Sequence, residues 1–283
     1  MSDERPPAAL TVVATPIGNL EDITLRALRS LRECDVILAE DTRRTRALLT
    51  AHGIERPVER LDEHTERERA EALLARMRDG TRMALVSDAG TPLVSDPGAA
   101  LVCAVIDAGL TVEALPGASA PLVALVLSGL GGEGFRFVGF VPREGHARRA
   151  ALTAMERDPL PTVFFESPER VETTLADLLG VCGPVRRVAV TRELTKRYED
   201  CLRGTLAEVI ERAREGIRGE VTVVLSGATE TEAVDAADAI DRALDAAMSA
   251  GMKPSDASRE VARALGLKRA EVYARAVERA RRP

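Results

Sequence analysis

Short apolar runs alternate with helical patterns through the first half of this chain, and that alternation limits its fold more than any other feature. It is typical of a parallel sheet whose strands are joined by covering helices. The helical pattern from Thr65 to Asp79 repeats apolar residues at i, i+3, i+4 and i+7, and Thr65 with Glu68 predicts a capping box at its start. The predicted strands are Leu10 to Ala14, Asp35 to Ala39, Met83 to Val86 and Thr111 to Leu115.

A second series of apolar runs follows a break at Pro116 to Pro121, where proline and glycine interrupt both periodicities. We therefore predict two α/β domains, at residues 1–118 and 119–228, and a helical segment at residues 229–283. The last two helices of that segment resemble a helix-turn-helix in outline, although a plain helical appendage has the same pattern. The further predicted strands are Phe135 to Phe140, Thr162 to Phe165, Arg187 to Val190 and Val221 to Leu225, and the predicted tail helices are Ala233 to Ala250, Ser255 to Leu265 and Lys268 to Arg281.

Composition argues against a broad nucleic-acid-binding surface. With a net charge of -6 and 2% aromatic residues, any contact with RNA has to be local. Three segments are more basic than the average, and each is also consistent with a solvated helix face. They contain Arg43, Arg44 and Arg46; Arg143, Arg148 and Arg149; and Lys268, Arg269, Arg275, Arg279, Arg281 and Arg282.

The four cysteines are too far apart in the sequence to predict a zinc site or a disulfide framework, and we expect no metal. The first residues lack the basic-then-apolar order of a signal peptide. No run approaches the roughly 18 uninterrupted apolar residues that a membrane-spanning helix needs. These observations predict a cytoplasmic protein without a membrane partner.

Each predicted strand of the first half ends in an unusual loop. Ligands of open α/β sheets bind beyond the carboxyl ends of the strands, where helix N-termini and unpaired backbone groups converge. One such loop is typical of an ordinary turn, but four at one sheet edge predict a binding cleft. Neither G-x-G-x-x-G nor a P-loop pattern is present, which favours a cofactor without phosphates, such as S-adenosylmethionine. The loops are TPIGNL at 15–20, EDTRRT at 40–45, SDAGTP at 87–92 and PGASA at 116–120.

Two further polar segments follow predicted strands of the second half. ESPER spans residues 166–170, and TRELTK spans residues 191–196. Both could face the same cleft. Glu193 and Lys196 are equally consistent with an i, i+3 ion pair on a surface helix.

The order and spacing of these motifs resemble those of the tetrapyrrole methylase superfamily. Within it, they are similar to the bacterial enzymes that methylate the 2'-hydroxyl of a cytidine in small-subunit ribosomal RNA. The resemblance runs from about Leu10 to Gly227 and is weaker in the helical tail. The motifs are TPIGNLEDIT, AEDTRRT, LVSDAGTPLVSDPG, LPGASA, FFESPER, TRELTKRYE and GEVTVVLSG.

This resemblance implies an S-adenosylmethionine-dependent methyltransferase that forms a homodimer and holds the cofactor in the cleft between two α/β domains. It implies a cytidine in the decoding region of 16S ribosomal RNA as the substrate. Leu194 and the backbone near Glu220 and Val221 would flank the adenine. The other cofactor contacts that it implies are Pro16, Gly18, Asp88, Ala89, Gly90, Thr91, Ser119, Ala120, Phe165 and Glu166.

Two departures from the family pattern concern histidines. Arg44 stands where the family often has a histidine. In the stretch from Leu61 to His64, only His64 remains of the two histidines that the family often has. These departures count against a catalytic imidazole in the two loops.

Methyl transfer from a sulfonium needs the sulfur, the methyl group and the attacking oxygen to be aligned, and a group that accepts the hydroxyl proton. The candidates for the proton acceptor are Asp41, Asp88 and Lys196. The side chains expected to grip RNA phosphates are Arg43, Arg44 and Arg170.

Two other functions are compatible with the sequence. A tetrapyrrole C-methyltransferase acting on a precorrin or uroporphyrinogen would share the fold, and polycarboxylate tetrapyrroles also attract arginine. A non-catalytic nucleic-acid-binding protein could use the C-terminal helices, although this function leaves the cleft loops without a purpose.

Overall fold

The computed structural model describes residues 8–63, 65–264 and 269–280, and its first sheet is parallel. The strands of this sheet are β1 (Leu10–Val13), β2 (Val36–Ala39), β3 (Val58–Arg60), β4 (Met83–Val86) and β5 (Val112–Leu115). Their order is β3-β2-β4-β1-β5, and every neighbouring pair is parallel. Val13 of β1 is level with Val86 of β4 and Leu115 of β5, so the carboxyl ends of the strands form one edge.

Helices cover both faces of the first sheet, because alternate residues of each strand point to opposite sides. The helices are α1 (Leu25–Glu33), α2 (Thr42–Ala51), α3 (Glu66–Arg78), α4 (Ala99–Asp107) and α5 (Ala120–Ser128). Leu38 of β2 packs in a core with Leu73 of α3 and residues of α4. Ile37, the preceding residue, packs in a second core with Leu31 of α1 and residues of α2. The predicted arrangement of a parallel sheet between helices is confirmed.

The start of α3 differs from the sequence prediction. The Thr65 side chain makes no capping bond to the helix, so the predicted capping box with Glu68 is wrong. Instead, the Asp62 carboxylate accepts a hydrogen bond from the Thr65 amide at 2.9 Å. The buried Glu66 carboxylate accepts from the Leu101 amide at 2.7 Å and so satisfies the first turn of α4. His64 lies outside the described residues.

A second sheet follows in the chain. Its strands are β6 (Arg136–Phe140), β7 (Thr162–Glu166), β8 (Arg187–Arg192), β9 (Asp200–Thr205) and β10 (Val221–Leu225). Their order is β6-β7-β10-β8-β9, and β6 runs parallel to β7. The helices associated with this part of the chain are α6 (Gly145–Arg157), α7 (Pro168–Cys182) and α8 (Leu206–Ala213).

The apolar pattern does not predict β3 or β9, and both strands lie at the edge of a sheet. Each carries polar side chains and has no fully buried residue. Edge strands have one neighbour and a solvent-facing side, which is why they lack the continuous apolar run of a central parallel strand.

The described chain divides into two compact units. One unit comprises residues up to Leu127 together with Thr191–Cys201 and Arg218–Thr222. The other comprises Ser128–Val190, Leu202–Ile217 and the chain from Val223 onward. We refer to them as the first and second units. The sequence-based boundaries after residues 118 and 228 remain predictions.

Three helices, α9 (Glu230–Ser249), α10 (Pro254–Ala264) and α11 (Arg269–Ala280), end the described chain. They share a small apolar core that includes Leu244, Val261 and Val272. Two arginines of the basic tail take part in this packing, since Arg275 pairs with Asp241 at 3.0 Å and Arg279 pairs with Asp241 at 2.9 Å. Lys268, Arg281 and Arg282 lie outside the described residues.

Within the described ranges, no helix is long and apolar enough to span a membrane. The same ranges hold no group of three or more histidine, cysteine or acidic side chains that could bind a metal ion.

Candidate functional site

The loops after β1 and β4 are joined through their main chains. The Thr15 amide donates to the Gly90 carbonyl at 2.8 Å, and the Gly90 amide donates to the Thr15 carbonyl at 2.9 Å. The Ser87 hydroxyl also donates to the Gly90 carbonyl, at 2.9 Å. Because β1 and β4 are neighbours in the sheet, these bonds fix two of the predicted loops side by side at its carboxyl edge.

The loop after β5 joins the same edge. The Thr91 hydroxyl donates to the Ala118 carbonyl at 3.1 Å. A Cβ atom at Gly117 would lie 2.8 Å from the Cβ of Ala14, a distance at which the two loops could not keep their positions. The main chains therefore approach closely here because residue 117 has no side chain. The predicted cofactor contacts Ala89, Ser119 and Ala120 lie in these loops and are half-buried.

The loop after β2 is connected to the edge through Asp88. The Asp88 Oδ1 accepts a hydrogen bond from the Asp41 amide at 3.0 Å. Its Oδ2 lies 3.8 Å from the Arg44 guanidinium, whose side chain is 64% exposed. All four loops predicted from the sequence are therefore in contact at one edge of the first sheet.

A cleft of about 290 Å³ opens between the first loop and α2. The predicted residues Pro16, Arg44 and Asp88 line it. The rest of its wall is formed by Thr15, Leu20, Thr45, Ala47, Leu48 and Ser87. The cleft thus combines apolar walls with a carboxylate and a guanidinium, which suits an uncharged ring or ribose that carries a few polar groups.

Asp41, one of the three predicted proton acceptors, is the N-cap of α2. Its Oδ1 accepts from the Arg43 amide at 2.8 Å, and its Oδ2 lies 3.3 Å from the Arg43 guanidinium. These hydrogen bonds lower the pKa of the Asp41 carboxyl. A carboxylate that is stabilised in this way is a weaker base, so the contacts disfavour Asp41 as the proton acceptor.

Lys196, a second predicted proton acceptor, is held between two carboxylates. Its ammonium lies 2.9 Å from Glu193 and 3.1 Å from Glu220. Burial acts to lower the pKa of Lys196, but the hydrogen bonds to Glu193 and Glu220 outweigh it and raise the pKa. The mechanism needs an amine of lowered pKa, so this direction disfavours Lys196 as the base.

The i, i+3 pair of Glu193 and Lys196 is present, but it lies on a loop and not on a surface helix. Glu193 has a φ of 51° and Thr195 has a φ of 64°, both in the left-handed region. The Thr195 hydroxyl accepts a hydrogen bond from the Asn19 amide at 3.1 Å, next to Gly18. This loop therefore packs on the loop after β1 within the first unit.

The residues predicted to flank the adenine are near this loop. The Leu194 side chain and Val221 are buried. The Glu220 amide donates to the Glu193 carboxylate at 3.0 Å, and this bond, together with the Lys196 ammonium, lowers the pKa of Glu193. The backbone around residue 220 is thus tied to the same segment as Leu194.

The sequence analysis did not identify two carboxyl groups of the first unit, Glu40 and Asp96. Burial, with the charges of Glu40 and Asp88, raises the pKa of Asp96 to about 6. Burial and the charge of Asp88 also raise the pKa of Glu40. Leu93 and Ser95, in the loop that carries Asp96, have φ values of 72° and 68°. Perturbed carboxyl groups on strained loops are characteristic of functional sites.

One sequence signal could have found Asp96. The tripeptide Val-Ser-Asp occurs twice, at residues 86–88 and 94–96, and the first copy contains the predicted Asp88. The raised pKa of Asp96 is not visible in the sequence, since it depends on burial and on the charge of Glu40, which lies 56 positions earlier (96 minus 40).

Three predicted site residues, Phe165, Glu166 and Arg170, belong to the second unit. The Glu166 side chain is fully buried, accepts from the Thr174 hydroxyl at 2.7 Å and pairs with Arg170 at 3.2 Å. Arg170 also donates to the Val141 carbonyl at 2.8 Å. These contacts stabilise the protein itself, and they disfavour Glu166 as a cofactor contact and Arg170 as a phosphate ligand. Phe165 is half-buried.

Comparison with known proteins gives two family matches. Residues 9–210 match the model of the tetrapyrrole (corrin/porphyrin) methylases. Residues 233–280 match the model described as the RsmI C-terminal HTH domain, in agreement with the predicted helix-turn-helix outline.

The chain is also similar to curated proteins and to solved structures. It is 44% identical over 279 residues to "Ribosomal RNA small subunit methyltransferase I" of Micromonospora olivasterospora, covering 96% of this chain and 87% of that protein. It is 43% identical over 272 residues to the protein of the same name from Mesorhizobium japonicum, covering 95% and 92%. The structure of uroporphyrin-III C-methyl transferase from Thermus thermophilus complexed with S-adenyl homocysteine matches with a TM-score of 0.54 and 23% identity, covering 77% of this chain and 96% of that one.

The structural match is below 25% identity and shows the fold alone, whereas the sequence matches extend over nearly the whole chain at more than 40% identity. The four joined loops are therefore parts of a known methylase fold. The chain belongs to the ribosomal RNA small subunit methyltransferase I family, within the tetrapyrrole methylases.

Proposed function

We propose that this chain transfers the methyl group of S-adenosylmethionine to the 2'-hydroxyl of a cytidine in the decoding region of 16S ribosomal RNA. The observation that carries the proposal is the set of four loops joined at one sheet edge, in a chain whose relatives bear the name of a ribosomal RNA methyltransferase. The neighbouring structure with S-adenyl homocysteine supports the cofactor class.

The first unit fits a cofactor of this kind. The close approach at Gly117 and the paired main chains of Thr15 and Gly90 fix the loops that carry the predicted cofactor residues at the sheet edge. No phosphate-binding glycine pattern is present, which suits a nucleoside cofactor without phosphates. The residues that would hold it are Pro16, Gly18, Asp88, Ala89, Gly90, Thr91, Ser119 and Ala120, with Leu194, Glu220 and Val221 beside the adenine.

The bound sulfonium supplies an activated methyl group, so the chain mainly has to align the reactants. The 2'-hydroxyl becomes a good nucleophile as it loses its proton, and a base near it accelerates the reaction. Asp96, with its pKa raised to about 6, is a stronger base than an ordinary carboxylate and is still deprotonated at pH 7. Of the three predicted acceptors, Asp41 and Lys196 are disfavoured by their ion pairs and Asp88 lines the cleft, and we add Asp96, whose carboxyl interacts with that of Asp88, as a further candidate.

RNA phosphates have two accessible partners beside the cleft. The side chains of Arg43 and Arg44 are 88% and 64% exposed. Their ion pairs with Asp41 and Asp88 are solvent-exposed and therefore weak, so a phosphate can compete for either guanidinium. Such contacts position the RNA strand without reading its bases.

A homodimer is the assembly that we propose. Leu122 and Val126 are 49% and 79% exposed and lie four residues apart on α5, so they share one face of that helix. Exposed apolar side chains on one face are typical of a subunit interface. Light scattering of the purified chain should give twice the monomer mass, and a Val126→Glu variant should give the monomer mass. The cytoplasmic location remains a prediction.

The proposed activity is tested with tritiated S-adenosylmethionine and two acceptors, undermethylated small ribosomal subunits and uroporphyrinogen. We expect label only in the ribosomal RNA, at a 2'-O-methylcytidine that mass spectrometry of the digested RNA identifies. Label in uroporphyrinogen instead would assign the chain to tetrapyrrole methylation, and no cofactor binding would assign it to the non-catalytic class.

Asp88→Ala should abolish cofactor binding in calorimetric titration, because Asp88 connects the second loop to the other three. Arg43→Ala with Arg44→Ala should weaken binding of small subunits and leave cofactor affinity unchanged. Asp107→Ala, an exposed carboxylate at the end of α4, is the matched control for both. Wild-type cofactor affinity in Asp88→Ala, or its loss in the arginine variant, would contradict these assignments.

A further inference from the structure

We propose that Phe140, Arg143, His146 and Arg149 form a surface of the second unit that binds single-stranded RNA, with a base stacked on Phe140 and phosphates held by the two arginines. We call it the Phe140 surface. The inference deepens the proposed function, because it says which part of the chain holds the substrate strand outside the methyl-transfer cleft.

A bulge in β6 determines where Phe140 points. Phe137 pairs with Val163 and Phe140 pairs with Phe165, so β6 has one residue more than β7 between these positions. Gly139 lies in this interval with a φ of 65°, a left-handed conformation that glycine adopts without strain. The extra residue puts Phe137 and Phe140 on the same face of the sheet, where a regular strand would put them on opposite faces.

The three phenylalanines on that face hold one another in place. The ring of Phe165 lies 5.1 Å from that of Phe137 and 5.5 Å from that of Phe140, measured between centroids. Phe140 is nevertheless 58% exposed. The chain has only five phenylalanines and no tryptophan, so an aromatic ring that is packed on one side and open on the other is an unusual feature of its surface.

The chain after Phe140 carries basic side chains, and most of them are exposed. Arg143, His146 and Arg149 are exposed, and none of the three has an ion-pair partner within residues 8–63, 65–264 and 269–280. Glu144 is the only acidic residue between positions 140 and 149. The positive charge of this segment is therefore available to an anionic partner.

Arg148, the remaining arginine of the segment, is buried and fixes the segment through hydrogen bonds. Only 10% of its side chain is exposed, and its guanidinium donates to Asp177 at 2.8 Å, to the Thr174 hydroxyl at 3.0 Å and to the Pro142 carbonyl at 3.0 Å. Arg170 likewise donates to the Val141 carbonyl. The segment is thus fixed before any ligand binds, which reduces the conformational entropy lost on binding.

The combination of an open aromatic ring with unpaired arginines matches single-stranded RNA. Unstacked bases bind to aromatic side chains, and the phosphates between them bind to arginine. A duplex presents no free base face for the ring. Because stacking and phosphate contacts are tolerant of sequence, this surface would add affinity for any unpaired RNA strand.

The arginine part is tested by fluorescence anisotropy with a labelled single-stranded RNA of the decoding region and the full chain. Arg143→Ala with Arg149→Ala should weaken binding about tenfold and reduce the slope of log K against log salt by about 1.4, since each phosphate contact contributes about 0.7. The matched control is Arg67→Ala with Arg78→Ala, two exposed arginines of α3 without ion-pair partners in the described chain. Equal affinities in the two double variants would overturn the proposal.

The stacking part is tested with Phe140→Ala, Phe140→Leu and Phe140→Trp. The first two should weaken RNA binding by about fivefold or more, because stacking on one base is lost, and the tryptophan variant should restore it. All three should bind S-adenosylmethionine like the wild type. A loss of cofactor affinity in Phe140→Ala would assign the ring to the cofactor site and overturn the proposal.

The RNA titrations do not depend on methyl transfer. If the wild type methylates small subunits and the variants bind RNA normally, this inference fails and the proposed function stands. If the variants lose RNA binding while the wild type shows no transfer, the surface stands and the proposed reaction fails.

Discussion

Asp96 of the first unit lies in the loop between β4 and α4, and Glu166 of the second unit is the last residue of β7. Their surroundings are opposite. Glu166 is fully buried and accepts from Thr174 while pairing with Arg170. Asp96 has no hydrogen bond or ion pair within the described chain, and its charged neighbours Glu40 and Asp88 repel it. One carboxyl group is held by hydrogen bonds and an ion pair inside its unit, whereas the pKa of the other is raised by burial and by two neighbouring carboxylates.

This difference extends to the loops around the two groups. The first unit connects its loops by main-chain and hydroxyl bonds, as between Thr15 and Gly90. The second unit uses the guanidinium groups of the buried Arg148 and the half-buried Arg170 to fix the chain after β6. We infer that similar polar motifs at strand ends serve a reaction in one unit and rigidity in the other.

The largest effect is expected for Asp96→Asn. The amide cannot accept a proton, so methyl transfer should slow by about 10²-fold or more, which is the usual contribution of a general base. In the wild type the rate should rise as the pH increases through about 6, where Asp96 loses its proton, and the variant should lack this rise. Single-turnover rates of the wild type and the variant between pH 5 and 8 measure the slower transfer and the pH dependence. A normal rate in the variant would exclude Asp96 as the base.

The same variant should be more stable than the wild type at high pH. The folded-state pKa of Asp96 is above its ordinary value of 3.8, so the folded chain binds the proton more tightly than the unfolded chain. The wild type therefore loses stability as the pH rises from about 4 to about 6, and Asp96→Asn does not. Thermal melts should show a higher Tm for the variant at pH 8 and a shrinking difference towards pH 5.

The next largest effect is expected for Glu166→Ala. Removal of this carboxylate leaves Arg170 and Thr174 without their buried partner, which should cost about 3 kcal/mol of unfolding free energy. Urea denaturation measures it, and Glu169→Ala, an exposed neighbour on α7, is the control. If Glu166→Ala unfolds like the wild type but no longer binds the cofactor, Glu166 is a ligand contact and the contrast with Asp96 is wrong.

Gly117→Ala should give the smallest change in stability, about 1–3 kcal/mol, because the new methyl group overlaps Ala14 and the loops have to shift. Cofactor affinity should fall at the same time by about tenfold or more, since the backbone groups at the edge move with the loops. Gly132→Ala, where a Cβ meets nothing within 4 Å, is the control for calorimetry and urea melts. Unchanged cofactor affinity would show that this edge does not hold the ligand.

The sequence predicts every central strand of the two described sheets but only two of their four edge strands, β5 and β6. The bounds of β4 and β10 agree with the prediction, since buried parallel strands are continuous apolar runs. The edge strands β3 and β9 carry no such run and were missed. The start of α3 was misjudged because Asp62, three residues before Thr65, competes for the Thr65 amide.

In the candidate site, too, local sequence patterns predict the loops but not the contacts between distant residues. The four loops of the first unit were predictable, because parallel strands bring their carboxyl ends to one edge whatever their helices contain. The contacts of Glu166 and Arg170 were not predictable, since they involve Thr174 and Val141 in other parts of the fold. The basicity of Asp96 was missed for the same reason, as its neighbours come from the ends of different strands.

The bond from Glu66 to the Leu101 amide links two parts of the first unit that the sequence keeps 35 residues apart. α4 begins after Gly98, directly behind the strained loop with Asp96, and its first turn receives its cap from α3 instead of from its own N-cap residue. A displacement at the beginning of α3 would therefore be transmitted to the loop that carries Asp96. The position of one helix thus sets the starting point of another, so the geometry of this loop is determined by packing far from the sheet edge as well as by its own residues.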